Sequence, residues 1–243
     1  MTAPSSSSAT EFATLTCSAP EERAARMAEL VLRHAPSGPI RLLDLGCGTG
    51  GLLFRLASAL PSATCVGIDI SRANIAVAEA ALRSRPDRDR LTIEAADYLE
   101  WKTAPVDVIA IDGVLHLIPA GIDALAAKLA HDLKPGGVIV NSMPYECVYN
   151  TLFKATRRVL RATRSSWTDA AILAVGRKLH PEMTVALLRE RVHYMYLPPT
   201  HVMGKRLEAV FSSHGLVPIA RYPVKSTSLA QLRHSVTVWR KNA

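Results

Sequence analysis

Residues 41–51 read RLLDLGCGTGG, and three of their glycines, Gly46, Gly48 and Gly51, follow the spacing G-x-G-x-x-G. An apolar run at residues 40–45 predicts a buried strand before this loop, and residues 50–60 predict a helix after it. Glycines between a strand and a helix let the backbone turn sharply and come close to a ligand. The same spacing occurs in dinucleotide-binding loops, so the glycines alone do not identify the ligand.

Three carboxylates around the loop indicate the chemistry of that ligand. Asp44 lies two residues before the first glycine, where it would repel a pyrophosphate but suits a cation. Asp69 ends the next predicted strand and can accept both hydroxyl groups of a ribose, which fits NAD as well. Asp97 follows the third predicted strand and can accept a hydrogen bond from an adenine amino group. A cationic adenosine derivative is favoured, and a dinucleotide enzyme or an inactive domain that kept the loop are the alternatives.

Predicted strands and helices alternate along much of the chain. Apolar runs predict strands at residues 40–45, 64–70, 91–95, 106–112 and 138–142, with helices at 50–60, 72–85 and 122–133 and a turn at 134–137. This alternation predicts an α/β fold with a parallel sheet that is covered on both faces. Residues 144–199 predict three helices and no strand, and a helix and two strands follow at residues 202–214, 216–223 and 234–240.

The predicted elements divide the chain into four parts. We expect a disordered tail at residues 1–19, a cofactor-binding core at 20–143, a helical lid over the acceptor at 144–200, and the final helix and β-hairpin of the core at 201–243.

Five motifs in order resemble those of the class I S-adenosylmethionine-dependent methyltransferases. They are DLGCGTG at residues 44–50, GID at 67–69, AD at 96–97, DVIAIDGVLH at 107–116 and LKPGG at 133–137. The resemblance implies a Rossmann-like, doubly wound seven-stranded sheet whose last strand is antiparallel. It also implies S-adenosyl-L-methionine as the cofactor, S-adenosyl-L-homocysteine as its product, and no metal.

The resemblance assigns a role to several residues of the core. Asp44 and Gly46 would lie near the methionine part of the cofactor, Asp69 would bind the ribose, and Asp112 would face the methyl group. Ile70 would pack on the adenine, and Asp97 with Tyr98 would hold its edge. The implied cofactor-binding residues are Asp44, Gly46, Cys47, Gly48, Gly50, Asp69, Ile70, Asp97, Tyr98 and Asp112.

Methyl transfer from a sulfonium is a displacement at carbon, so the main task of such an enzyme is to align the acceptor with the methyl group. A base is useful where the nucleophile must lose a proton. His116, which follows the fourth predicted strand, is the candidate base, and the alternative is that it packs against the cofactor. The expected acceptor is an oxygen or nitrogen atom of a small molecule, with carbon less favoured.

A helical insertion after the fifth strand lies at the carboxyl ends of the strands, where ligands bind in open α/β sheets. Its aromatic and polar residues are candidates for the acceptor pocket, although most could instead form the core of the lid. These candidates are Met143, Tyr145, Tyr149, Trp167, His193, Tyr194 and Tyr196.

The chain is basic, with a net charge of +8, and residues 146–200 carry nine Lys and Arg against four Asp and Glu. Helical spacing predicts one basic face made of Lys154, Arg157, Arg158, Arg161 and Arg164. This face is solvated, or contacts RNA phosphates, or turns one or two arginines inward onto an anionic acceptor. An RNA methyltransferase is therefore an alternative function, and a non-catalytic subunit that binds the cofactor is another. Nucleic acid is not favoured, because the fourth strand lacks the Asn/Asp-Pro-Pro-aromatic sequence used on base amines.

The remaining composition is that of an ordinary globular protein, with 49% hydrophobic and 21% charged residues. Cys17, Cys47, Cys65 and Cys147 form no CxxC pair, which argues against a zinc site or a disulfide framework. The first residues lack the pattern of a secretory signal, and no apolar run reaches the ~20 residues that span a bilayer. We expect a cytoplasmic protein that does not bind membranes, with a homodimer possible through the first helix or the lid.

Overall fold

The computed structural model describes residues 21–181, 183–224 and 231–243. Seven strands in these ranges form one sheet. They are β1 (Arg41–Leu45), β2 (Thr64–Asp69), β3 (Leu91–Ala95), β4 (Val106–Asp112), β5 (Leu133–Pro144), β6 (Leu216–Pro223) and β7 (His234–Lys241). Their order across the sheet is β3-β2-β1-β4-β5-β7-β6. The tail predicted at residues 1–19 lies outside the described residues.

Helices connect the strands and cover the sheet. They are α1 (Glu21–His34), α2 (Gly51–Ala59), α3 (Arg72–Leu82), α4 (Ile122–Asp132), α5 (Val148–Ala162), α6 (Ser166–Leu179), α7 (Val185–Val192) and α8 (Lys205–Ser213). Ser71 begins α3 as its N-cap, because its Oγ accepts a hydrogen bond from the backbone N–H of Asn74 at 3.2 Å.

The direction of the strands agrees with the predicted fold. β1 pairs in parallel with β2 and β4, and the parallel order extends to β3 on one side and to β5 on the other. β7 lies antiparallel between β5 and β6, so the prediction of a seven-stranded sheet with an antiparallel last strand is confirmed. Because β7 runs the opposite way, its first residue, His234, pairs with Pro144 at the end of β5.

Two buried clusters of apolar side chains hold the sheet between its helices. On one face Leu30 of α1, Leu53 of α2 and Ile75 of α3 pack against the strands. On the other face Phe211 of α8 packs against Trp239 of β7, with ring centroids 4.8 Å apart. Both faces of the sheet are therefore covered, which leaves the ends of the strands as the place for a ligand.

The prediction of a turn at residues 134–137 is wrong. The structure includes these residues in β5, where Leu133 pairs with Val106 and the regular pairing resumes between Val138 and Val108. The segment between them bulges out of the ladder, and Gly136 has a φ of +75° there. The Lys-Pro-Gly-Gly sequence interrupts a strand and does not precede it.

The three helices α5–α7 follow β5, as residues 144–199 predict, and a single side chain ties the first of them to the core. Asn150 is buried, and its Nδ2 donates to the carbonyl oxygens of Tyr145 at 2.7 Å and Arg233 at 2.8 Å. Its Oδ1 accepts from the backbone N–H of Arg233 at 2.8 Å. The side chain therefore fixes the start of α5 to the ends of β5 and β7.

Among the described residues no helix is both long enough and apolar enough to cross a membrane. A cytoplasmic location stays a prediction.

Replacing Asn150 by Ala should lower the free energy of unfolding by about 2–3 kcal/mol, because it leaves buried backbone groups without partners. Amide hydrogens of α5 should also exchange faster than in the unchanged protein. Thr151→Ala is the matched control, since Thr151 is exposed and bonds only within its own helix turn, to the carbonyl oxygen of Cys147 at 3.1 Å. Chemical denaturation that gives equal stabilities for the two variants would contradict this role of Asn150.

Candidate active site

A cavity of about 1440 Å³ opens at the carboxyl ends of β1–β5. Residues that follow these strands form its floor, and α1, α6 and α7 contribute its other walls, including Met27, Ile172 and Leu188. A single drug-sized ligand fills roughly 300–1,000 Å³. The cavity therefore has room for a cofactor and a small second ligand together.

The glycine loop forms one end of this cavity. The backbone N–H of Gly46 donates to the carbonyl oxygen of Ile68 at 2.8 Å, which anchors the loop to β2. Gly46 has a φ of +75°, and a Cβ at this position would collide with the side chain of Val114. The loop therefore depends on glycine for its backbone conformation and for its close packing.

The structure does not place Gly50, a predicted cofactor contact, at the wall of the cavity. Gly51 lines the cavity instead. Gly50 is the N-cap of α2 with a φ of +89°, and its Cα lies against the ring of Phe54. It shapes the loop from beneath and is not positioned to contact a ligand.

Asp44 lies at the end of β1 with its side chain buried and 1% of the residue exposed. Its Oδ2 has no hydrogen-bond partner among the described residues. Burial, together with the nearby carboxylates of Asp112 and Asp69, raises the pKa of this carboxyl to about 8. A cation in the cavity would favour the ionised form, so the unpartnered carboxyl fits a ligand with a positive charge.

Asp69 lies at the end of β2, beside the loop. Its Oδ2 accepts the backbone N–H of Gly48 at 2.9 Å, and its Oδ1 accepts the backbone N–H of Ser71 at 2.8 Å. The carboxylate is thus fixed where loop and α3 meet, and both Asp69 and Ile70 line the cavity.

Asp97 and Tyr98 line the same end of the cavity after β3. The Oδ1 of Asp97 accepts the backbone N–H of Leu99 at 3.0 Å, which leaves its other oxygen for a ligand. Tyr98 is 4% exposed, and the Nζ of Lys128 lies 4.6 Å from its ring centroid. Burial raises the pKa of the Tyr98 hydroxyl, which therefore stays protonated and neutral.

Asp112 lies at the mouth of β4 and has a partner that the sequence did not predict. The Nε of Arg23, on α1, lies 2.8 Å from both carboxylate oxygens of Asp112. Arg23 Nη2 also donates to the backbone carbonyl oxygen of Asp112 at 3.1 Å. This ion pair fixes α1 against the cavity, which explains why a helix outside all five motifs contributes to the site.

Two histidines face each other at the other end of the cavity. The rings of His116 and His234 meet edge to face with centroids 5.4 Å apart, and His116 Nδ1 has no partner among the described residues. Burial lowers the pKa of His116 well below its usual value, and the neighbouring charges of His234, Arg157 and Arg23 lower it further. Burial likewise lowers the pKa of His234 to about 3, so both rings are neutral at physiological pH.

Arg157, on α5, also lines this end of the cavity, and its side chain is buried. Its Nη1 donates to the carbonyl oxygen of Leu197 at 3.0 Å, and its guanidinium lies over the ring of Phe153 at 5.0 Å. The prediction of one continuous basic face is therefore wrong. Arg157 turns inward while Arg158 is exposed, and the guanidinium of Arg164 lies 4.7 Å from the ring of Tyr196.

Most predicted acceptor-pocket residues do not line the cavity, and only Tyr194 of that set does. Trp167 is 85% exposed, and Tyr145 is also an exposed side chain. Met143 is packed in the core, and the hydroxyl of Tyr196 donates to Asp169 at 2.6 Å within the lid. The ring of Tyr149 stacks on Phe153, and His193 contacts Arg164 at 3.3 Å, so these two belong to packing within and beside the lid.

The site residues that sequence reasoning missed differ in how far local patterns could have identified them. The position of His234 near the site can be predicted from the topology, because an antiparallel last strand begins at the edge where the parallel strands end. Arg157 belongs to the basic segment, but spacing does not say which arginine turns inward. Arg23 carries no sequence signal, since its partner lies 89 residues away.

The described part of the chain contains no cluster of three His, Cys, Asp or Glu side chains that could hold a metal ion. Cys47, Cys65 and Cys147 are free thiols. Burial raises the pKa of the Cys47 thiol, which lies in the loop and lines the cavity as a neutral group.

Comparison with known proteins identifies a methyltransferase domain in the chain. A family model described as a methyltransferase domain matches residues 43–139. A trans-aconitate 2-methyltransferase of Methylobacterium radiotolerans is 33% identical over 177 residues, which are 69% of this chain and 63% of that protein. The chain thus spans less than two thirds of the length of this curated relative.

Solved structures share the fold at low sequence identity. The N-methyltransferase NodS of Bradyrhizobium japonicum is 15% identical with a TM-score of 0.57, over 91% of this chain and 96% of that one. The 1,6-didemethyltoxoflavin-N1-methyltransferase of Burkholderia thailandensis is 15% identical with a TM-score of 0.62, over 92% and 80% of the two chains. Residues 43–139 thus form a methyltransferase domain, with the motif order and the sheet topology of the class I S-adenosylmethionine-dependent methyltransferases.

Proposed function

We propose that the protein transfers a methyl group from S-adenosylmethionine to an oxygen or nitrogen atom of a small, anionic acceptor. The observation that carries this proposal is the carboxyl of Asp44, which is buried in the wall of the cavity beside the glycine loop and whose Oδ2 has no partner among the described residues. A ligand with an ammonium and a sulfonium would satisfy it, whereas a pyrophosphate would be repelled.

The other residues of that end of the cavity fit the rest of the cofactor. Asp69 is fixed beside the loop to accept the ribose hydroxyls, and Asp97 has an oxygen left for the adenine amino group. When bound, S-adenosylmethionine supplies a methyl group on a positively charged sulfur. The contribution of the chain is to hold the acceptor in line and to keep water away, and the lid helices α6 and α7 close one side of the cavity.

A small acceptor is supported by the shape of the site. The cavity extends between the strand ends and the lid, and the basic residues of α5 do not form one exposed surface for a nucleic acid backbone. The relative named above is a trans-aconitate 2-methyltransferase, which makes trans-aconitate the first acceptor to test. A homodimer stays a prediction.

His116 remains the candidate base, and its environment limits that role. The ring is neutral and can accept a proton, but burial and the positive charges of Arg157 and Arg23 oppose the protonated form. The site therefore favours an acceptor whose nucleophilic atom carries no proton at physiological pH, such as a carboxylate oxygen.

Calorimetry with S-adenosylmethionine and S-adenosylhomocysteine tests the proposal, followed by transfer of labelled methyl groups to trans-aconitate and to a metabolite extract. Saturable binding of both ligands and label in a small molecule are expected. Failure of the protein to bind either ligand would refute the enzyme assignment. Label that appears only in RNA would move the function to the alternative.

Asp69→Ala should weaken the binding of S-adenosylhomocysteine by about 10- to 100-fold, because hydrogen bonds from the ribose to a charged acceptor are lost. Asp89→Ala is the matched control, since it removes an exposed carboxylate that does not line the cavity. Calorimetry should show unchanged affinity for the control. Equal affinities of the two variants would remove Asp69 from the ribose site.

The affinity for S-adenosylmethionine should rise with pH between about 6 and 8, by at most about tenfold per pH unit. The reason is that the pKa of Asp44, about 8 in the free protein, falls when a cation binds, so binding releases a proton below pH 8. Above that value Asp44 is already ionised and the affinity should level off. Calorimetry in buffers of different ionisation enthalpy measures the released proton directly.

Asp44→Asn is the isosteric control for this pH dependence. It should bind the cofactor more weakly and should lose both the proton release and the rise in affinity between pH 6 and 8. A variant that keeps the pH dependence of the unchanged protein would show that another group titrates.

A further inference from the structure

The guanidinium of Arg157 is a buried positive charge with no carboxylate partner in the described part of the chain. The residue is 8% exposed and lines the cavity. Its Nη1 donates to a neutral group, the carbonyl oxygen of Leu197, and its Nε is buried with no partner among the described residues. Burial lowers the pKa of Arg157 to about 10, so it keeps its charge at physiological pH.

An unpaired buried charge is costly to a folded protein, and such charges are ordinarily paired or bind a ligand. The other arginine at this end, Arg23, is already neutralised by Asp112 at 2.8 Å. His116 and His234 lie beside them as neutral rings, and the charge of Arg157 lowers the pKa of both. Arg157 is therefore a positive charge that faces the cavity without a carboxylate to balance it.

The cavity is divided by charge. Asp44, Asp69 and Asp97 lie at the loop end, whereas Arg157 and the two histidines lie at the end that α5 and β7 form. The carboxylates at the loop end suit a cationic cofactor. An anion at the other end would balance the positive charge of Arg157. A guanidinium binds a carboxylate through a planar, fork-like pair of hydrogen bonds, and Arg157, whose buried Nε has no partner among the described residues, lines the cavity.

We propose that Arg157 binds a carboxylate group of the acceptor and determines the specificity of the site for carboxylate-bearing molecules. The proposal rests on the proposed function, since it places this anion beside the cofactor end of the same cavity. It assigns to Arg157 the binding of a group that does not react, which holds the remainder of the acceptor toward Asp112 and the loop.

Binding measured without turnover tests this assignment. The protein loaded with S-adenosylhomocysteine is titrated in a calorimeter with trans-aconitate, citrate and succinate, and with the trimethyl ester of trans-aconitate as a neutral probe. At least one carboxylate should bind saturably, and the ester should bind at least about tenfold more weakly, because it offers no charge to the guanidinium. Equal binding of acid and ester, or no saturable binding by any of the acids, overturns the proposal.

Three variants locate the effect. Arg157→Met keeps the unbranched, apolar part of the side chain and removes the guanidinium, and it should weaken carboxylate binding by about 10- to 100-fold. Arg157→Lys keeps the charge but not the fork-like pair of donors. Its affinity for carboxylates should lie between those of the unchanged protein and Arg157→Met. Arg158→Met is the matched control, because Arg158 is an exposed residue of the same helix that does not line the cavity, and its affinity should stay within about twofold of the unchanged protein.

Two further measurements distinguish failure of this proposal from failure of the proposed function. All variants should bind S-adenosylhomocysteine with unchanged affinity, and Arg157→Met should melt no lower than the unchanged protein, since an unpaired buried charge is removed. If the unchanged protein does not bind S-adenosylhomocysteine, the proposed function itself is refuted. Normal S-adenosylhomocysteine binding with undiminished carboxylate binding in Arg157→Met refutes only the role of Arg157. Inorganic phosphate that binds more tightly than every acid would assign the site to a different anion.

Discussion

The parallel order of the five strands from β3 to β5 is the constraint on which the rest of the site depends. Parallel strands need crossover helices, these helices cover both faces of the sheet, and only the carboxyl edge stays open. Asp44, Asp69 and Asp112 each lie at or near the end of a strand on this edge. Topology alone therefore brings three carboxylates into one cavity, and burial, together with their mutual repulsion, raises the pKa of Asp44.

Electrostatic balance within the cavity follows from that crowding. Asp112 is neutralised by Arg23 from α1, and Asp69 is held by backbone N–H groups of the loop and of α3. Asp44 has neither kind of partner at one of its oxygens. The core therefore stabilises two of the three carboxylates itself and leaves the third for a ligand, which is why the loop end selects a cation and not a phosphate.

The sequence predicts the core of this arrangement well and the acceptor end poorly, for a physical reason. Loop, strand ends and the cofactor carboxylates are set by local patterns, in which glycine and aspartate stand directly after apolar strands. The acceptor end depends on contacts between residues far apart, such as Arg23 with Asp112 and His116 with His234. Aromatic residues after β5 were reasonable candidates, but Trp167 on α6 and Tyr145, which lies between β5 and α5, are both exposed.

Helical spacing identified the basic segment of α5 but not the face that each arginine occupies. Arg157 and Arg158 are neighbours in sequence, yet a helix turns about 100° between them, so one enters the cavity while the other is exposed. Asn150 at the start of the same helix fixes its position against β5 and β7, and that contact determines which face of α5 is turned inward. The position of Arg157 thus depends on a buried amide two turns away, and the affinity of the site for an anion should be sensitive to how firmly α5 is anchored.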